Sequence, residues 1–193
     1  MQIQMIAPTL VAGPLLAACL VTSPARAQDP VDRPLPWTLG VGIGTLVNGT
    51  SVLAPNTASV RFVLSDALQV EPLVNVTVSG QSNAGGSDNA TTLRAGGLLR
   101  YVYASSGAMD LQLLGGAVVG FLAAGGASTL ELSASYGLSV VWYGSEHWSI
   151  SGDATNPVLT FNRASPDEGD AATAYTLGAV WNPTVTAMIH FYM

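Results

Sequence analysis

From Trp37 to the C-terminus, apolar and polar residues alternate one by one, the period of strands with two different faces. The first predicted strand sets Trp37, Leu39, Val41 and Ile43 against Thr38, Gly40, Gly42 and Gly44. The second sets Ala58, Val60, Phe62 and Leu64 against Ser59, Arg61, Val63 and Ser65. Val74, Val76 and Val78 oppose Glu71, Leu73, Asn75 and Thr77 in the third. In the fourth, the row from Leu93 to Tyr103 opposes Arg94, Gly96, Leu98 and Arg100. The fifth opposes Leu111, Leu113, Ala117, Val119 and Phe121 to Asp110, Gln112, Gly116 and Gly120. The sixth runs from Leu130 to Trp142, with Glu131, Ser133, Ser135, Gly137 and Ser139 on its other face. The seventh begins with Trp148 and Ile150 against Ser149, Ser151 and Asp153. An eighth is expected as one strand from Tyr175 to Met193.

Short turns are expected at Asp66-Ala67, Ser105-Ser106-Gly107 and Gly144-Ser145-Glu146. Longer loops are expected over 47–57, 80–90 and 162–172, with a tight hairpin at Gly125-Gly126. Alternating short and long connections suit an up-and-down barrel with its turns on one side. The continuous apolar face needs lipid, or a second sheet, as its solvent. Leu111–Leu130 carries no charge and includes Gly116-x-x-x-Gly120, so it also admits a membrane helix. Asp110 and Glu131 close both ends without an arginine anchor, which favours the hairpin. A secreted β-sandwich is the other alternative.

The other face carries nearly every strand-borne charge: Arg61, Glu71, Arg94, Arg100, Asp110, Glu131 and Asp153. In a narrow interior these must pair or be hydrated. A hairpin at Gly85-Gly86 would place Glu71 directly opposite Arg100. Gly40, Gly42 and Gly44 leave vacancies beside the final strand, where Met188, His190 and Tyr192 share the inward face. Those vacancies admit a plugged core or a hydrated slot, and the acids on the same lining, available to pair Arg61 and Arg94, favour the plug. Asn156-Pro157 and Asn182-Pro183 fall opposite one another about a hairpin near residue 169 or 170. Two prolines at one height mark a kink or bulge in the wall.

Composition narrows the setting. Of 193 residues, 49% are hydrophobic and 9% charged, and every basic side chain is arginine. With 6 basic against 12 acidic residues, nucleic-acid binding has no electrostatic basis. Leu10–Val21 is apolar but too short to span a bilayer, and Ser23-Pro24 and Ala25-Arg26-Ala27 follow it. The expected division is an export signal at 1–27, cut after Ala27, then a proline-rich tether at 28–36 and a barrel at 37–193. Leu16-Ala17-Ala18-Cys19 also matches a lipid-attachment box, but Leu20 and Val21 carry the apolar run beyond Cys19. Cleavage after Ala27 leaves a chain without cysteine.

The pattern resembles the small eight-stranded bacterial outer-membrane barrels, of the OmpA transmembrane-domain and OmpX kind. Val185, Ala187, Ile189, Phe191 and Met193 resemble the C-terminal signal read by the barrel-assembly machinery, which usually ends in Phe. The resemblance implies an all-β, eight-stranded antiparallel transmembrane barrel in a Gram-negative outer membrane. Its implied partners are outer-membrane lipid, lipopolysaccharide and the assembly machinery. Lipid A deacylases of this barrel class pair His with Ser on an outer-leaflet face, whereas His190 falls near the opposite end and His147 in a turn. No base–nucleophile–orienter set, cofactor fingerprint or Cys/His metal spacing is visible. Asp167, Glu168 and Asp170 form an acidic loop that fixes no coordination geometry by itself. The expected function is non-enzymatic, structural or surface-interacting through the outer loops and an unidentified extracellular ligand. A narrow channel for small or apolar solutes and a lipid-modifying enzyme are the alternatives.

Overall fold

The computed structural model describes residues 33–48, 51–52, 55–83, 86–124, 127–166, 170–178 and 183–193. The segment expected to be an export signal, including Ala25, Ala27 and Cys19, lies outside them, as do Asp167, Glu168, Trp181 and Asn182. Ten strand segments follow in order: β1 (Leu39–Asn48), β2 (Ser51–Val52), β3 (Thr57–Val63), β4 (Leu68–Asn83), β5 (Gly86–Ser106), β6 (Met109–Ala124), β7 (Ala127–Ser145), β8 (Trp148–Ser165), β9 (Ala172–Leu177) and β10 (Thr184–Tyr192).

Strands β1, β3, β4, β5, β6, β7, β8 and β9 pair antiparallel in that order, and β10 pairs with both β1 and β8, which closes the sheet into a ring. β2 is a short flap on β1, and β9 and β10 share the last place in the wall. The wall therefore has eight positions: β1, β3, β4, β5, β6, β7, β8 and β9/β10. Closure removes the sheet edges that an open sheet would leave unpaired.

The faces follow the alternation. On β3, Thr57, Ser59, Arg61 and Val63 are buried between more exposed neighbours. Outward residues are large and apolar, such as Val76 at 47% exposure, Leu99 at 50% and Leu132 at 50%. Inward residues are mostly polar, so the chain is inside out relative to a water-soluble domain. Outward aromatics gather at the short-turn end. Trp142 and Trp148 meet there edge to face at 5.1 Å, with Trp37, Tyr101, Tyr103 and Phe191 also exposed. Tyr192, at the same end, points inward and is buried, on the face expected for it.

The turn at Asp66-Ala67 lies where the sequence places it, whereas the other two fall one or two residues later, at Gly107-Ala108 and Glu146-His147, because β5 runs to Ser106 and β7 to Ser145. The β3–β4 turn closes with Leu64 N–H donating to Leu68 O at 3.0 Å. Gly107 adopts a φ of 54° between β5 and β6, a left-handed conformation that suits glycine. Ala124 pairs with Ala127, so Leu111–Leu130 is a β-hairpin and the helix alternative is excluded.

Three expectations need correction. Residues 80–90 are not a loop, because β4 and β5 pair continuously from Gly80–Asn89 to Asn83–Gly86. That stretch is polar and lacks apolar alternation, the signal on which the boundary rested. For the same reason β8 runs to Ser165, into the predicted 162–172 loop. The final strand is not continuous either. Thr155 pairs with Thr184, and Leu159 with Leu177. Four steps along β8 thus face seven along its partner, so β9 and β10 cannot share one register. Beside this mismatch, Ser135 pairs with Pro157 and Ala134 with Leu159, leaving Val158 as a bulge. Pro157 lacks the N–H that would continue the ladder.

β5 spans 21 residues and β8 spans 18, whereas a tilted strand crosses a bilayer in about 9–11. The wall therefore rises well beyond an apolar band at the end opposite the short turns.

Candidate functional site in the lumen

The inward charges fall into three tiers. The central tier joins Arg61 on β3, Glu71 on β4, Arg100 on β5 and Asp153 on β8. Arg61 Nε donates to Glu71 Oε2 at 2.9 Å, and Arg100 Nε reaches the same oxygen at 2.5 Å. Arg100 Nη1 donates to Asp153 Oδ1 at 3.1 Å, and its Nη2 pairs with the other carboxylate oxygen. Two guanidinium groups thus meet two carboxylates, so the tier is neutral. Both arginines are fully buried, and Glu71 and Asp153 are nearly so. Hydroxyls and amides complete the fit. Ser139 donates to Asp153 at 2.6 Å, while Arg61 reaches Tyr192 and Arg100 reaches Gln112. A buried ion cluster persists only with this density of bonds.

The register differs from expectation by two residues. Glu71 stands opposite Leu98, and Arg100 opposite Gln69. The last pair is Asn83 with Gly86, so the hairpin is centred one residue earlier than expected, and moving its centre by one residue shifts the pairing by two. Such a shift keeps every side chain on its face. Glu71 and Arg100 therefore still meet, along a diagonal that long side chains can span.

His190 packs against this tier. Its Nε2 lies 2.9 Å from Glu71 Oε1 and 3.0 Å from Ser59 Oγ. Ionised Glu71 can only accept, so Nε2 carries the proton and donates it. Nδ1 has no hydrogen-bond partner among the described residues. A hydrolytic triad uses one ring nitrogen for the nucleophile and the other for the orienting acid. Here serine and carboxylate share one nitrogen, so His190 cannot take a proton from Ser59. All three are also sealed from solvent.

Gly40, Gly42 and Gly44 make room for the final strand. They pair with Tyr192, His190 and Met188 respectively. A methyl group on Gly40 would lie 2.7 Å from Tyr192 Cε1, and one on Gly42 would strike His190 and Ser59. The three missing side chains are occupied by neighbours, which seals the lower lumen.

The upper tier is a row across three strands. Arg94 pairs with Gly120, and Gly120 with Glu131. The glycine lets Arg94 cross to Glu131, with Nη2 3.0 Å from Oε2. This pair is partly exposed. In the lowest tier the sequence reading placed Asp110 on the inward face but missed its partner, Arg33. Asp110 accepts from Ser105 at 2.6 Å and pairs with Arg33 of the tether at 3.1 Å. Arg33 also donates to Gly107 O at 2.9 Å and lies over the Tyr143 ring. Charge counting held the clue: four inward acids faced three inward arginines, and Arg33 is the basic residue just ahead of β1.

Between the central and upper tiers lies a cavity of about 210 Å³. Glu71, Asp153 and Met188 bound it below, and Arg94 and Glu131 line it above. Among the described residues, no three His, Cys, Asp or Glu side chains converge on a metal position. Val185, Ala187, Ile189, Phe191 and Met193 occupy alternate positions on the outside of β10 and the residue after it. They interleave with the buried Met188, His190 and Tyr192.

A closed antiparallel ring with an apolar exterior and a polar, packed interior defines a small β-barrel of the outer-membrane type. No family model matches the chain, and no curated protein sequence does so either. The structure is similar to a major outer membrane protein from Thermus thermophilus, at 12% identity and a TM-score of 0.48, covering 81% of this chain and 98% of that one. It is similar to Escherichia coli outer membrane protein W, at 13% identity and a TM-score of 0.47, covering 80% and 97%. It is also similar to Ail, the attachment invasion locus protein of Yersinia pestis, at 14% identity and a TM-score of 0.34, covering 81% and 95%.

Proposed function

We propose that the protein is a non-enzymatic barrel of a Gram-negative outer membrane, with a sealed lumen and a structural or surface-interacting role at its outer end. The observation that carries this reading is the neutral Arg61–Glu71–Arg100–Asp153 cluster, which packs with His190 and Tyr192 across the lumen below the cavity. An eight-stranded barrel is only wide enough for side chains to fill, and at the level of the central tier Arg61, Arg100 and His190 are fully buried. In this reading the short turns face the periplasm, and the row from Val185 to Met193 is presented to the assembly machinery. The strands that rise beyond the apolar band carry the outer loops to their contacts. Purified protein in planar bilayers tests the seal: no steady conductance is expected. Reproducible single-channel currents would overturn it in favour of a narrow channel. Lipid A from cells with and without the gene should have the same mass spectrum, and a missing or added acyl chain would show an enzyme.

A further inference from the structure

We propose that the cavity above the ion cluster binds a small organic cation, an alkylammonium ion whose charge is covered by hydrocarbon. Among the described residues, four charged side chains line it: Glu71 and Asp153 on the floor, and Arg94 and Glu131 at the outer end. Arg61 and Arg100, the counter-ions of the floor carboxylates, are fully buried and do not reach it. Their further partners show which way they point. Arg61 reaches Ser151 and Tyr192, and Arg100 reaches Gln112 and Ser139. All four lie toward the short-turn ends of their strands, and none lines the cavity. The floor therefore presents the negative ends of its ion pairs, with the positive ends behind them. At the outer end Arg94 and Glu131 line the cavity together, 3.0 Å apart, so their fields largely cancel. Three carboxylates against one guanidinium hold the cavity at negative potential, although each tier is neutral as a whole.

That potential excludes an anion and gives a neutral guest nothing. The lining also carries hydrocarbon, from Leu46, Leu73, Leu98, Val118 and Met188. A bare metal ion would have to shed its water against it. The floor carboxylates already accept from Arg61, Arg100, His190 and Ser139, so they offer a field rather than coordination sites. An alkylammonium ion keeps its charge inside a shell of methyl groups, which suits both the field and the hydrocarbon. Arg94 and Glu131 are 41% and 27% exposed, so the cavity is reached from the outer end without crossing the central tier. Binding requires no passage through the lumen, so this inference stands apart from the conductance result.

Three probes of one shape test it: choline, its neutral carbon isostere 3,3-dimethylbutan-1-ol, and the anion 3,3-dimethylbutanoate. Each is titrated into the barrel in dodecyl maltoside, which carries neither charge nor choline headgroup. The methyl signals of Leu73, Leu98, Val118 and Met188 are followed by NMR. Choline is expected to give saturable shifts and to bind roughly tenfold tighter than the alcohol, with the anion weakest. Arg94→Gln leaves Glu131 unpaired and should tighten choline binding roughly tenfold, whereas Glu131→Gln leaves Arg94 unpaired and should weaken it by a similar factor. The alcohol should respond to neither substitution. Heat-modifiable migration on a denaturing gel checks that the variants are folded, and the three-probe comparison on the wild type needs no variant. No saturable choline shifts, an alcohol that binds as tightly as choline, or folded variants that fail to move choline affinity in opposite directions would each overturn the proposal.

Discussion

Arg33 and Asp110 form an ion pair at 3.1 Å that ties the segment ahead of β1 to the start of β6. Asp110 is 3% exposed and Arg33 is 34% exposed. The pair therefore lies between a surface salt bridge and a buried one in its expected worth. It also sets the charge balance of the interior, because Arg33 supplies the fourth base for the four inward acids.

Arg33→Ala should destabilise the barrel by about 1 to 2 kcal/mol, above a typical surface pair and below a buried one. Asp110 keeps the Ser105 hydrogen bond but loses its counter-charge. Adding Asp110→Asn to Arg33→Ala should recover part of the loss, since an amide needs no counter-ion. Urea unfolding of the barrel in lipid vesicles measures both. No loss in the single variant would mean that the Arg33–Asp110 pair does not help to hold the tether and β6 together.

Arg100 bridges Glu71 and Asp153 and is fully buried. Arg100→Ala should cost about 3 to 5 kcal/mol in the same unfolding titration, because it strands a buried carboxylate. Arg100→Lys should recover little, since one ammonium group cannot reproduce the donors of a guanidinium. A lysine variant as stable as wild type would argue that water reaches this tier.

How much of this was legible depends on which residues have a face to bury. Where one row meets apolar surroundings and the other a packed interior, alternation assigns both faces, as on β3 with Phe62 out and Arg61 in. The neighbours of Gly40, Gly42 and Gly44 were legible because closure must bring the last strand beside the first. Register was less legible, since a one-residue move of the β4–β5 turn displaced Glu71 from Arg100 without changing either face. The polar extensions of β4, β5 and β8 carry no period and read as loops. Arg33 was hidden for the same reason, lying in a proline-rich segment whose contacts are long-range.

Val76 is outward and 47% exposed, and Thr77 beside it is inward. Val76→Arg should destabilise the barrel by about 2 to 4 kcal/mol if it lies in hydrocarbon. Thr77→Arg should cost less, because its neighbours Asn56 and Asn75 are polar. Refolding titrations of the two variants give the comparison. Equal costs would argue that the outer face meets water.

The glycines of β1 provide the sharpest test of the sealed lumen. Gly42 lies against His190 and Ser59, two side chains that are locked to each other and, through His190, to Glu71. A methyl group there has no free volume, and its neighbours cannot move without breaking the central tier. Gly42→Ala should therefore cost about 1 to 3 kcal/mol by overpacking. Gly152 is the internal control, because a methyl group there meets nothing within 4 Å. Gly152→Ala should be neutral or mildly stabilising, since glycine weakens a strand interior. Both substitutions add the same atom to a strand of the same barrel, so their difference isolates packing from backbone propensity. Paired unfolding titrations read that difference directly. If Gly42→Ala proves as harmless as Gly152→Ala, the lower lumen holds spare space, and the sealed interior is the wrong description.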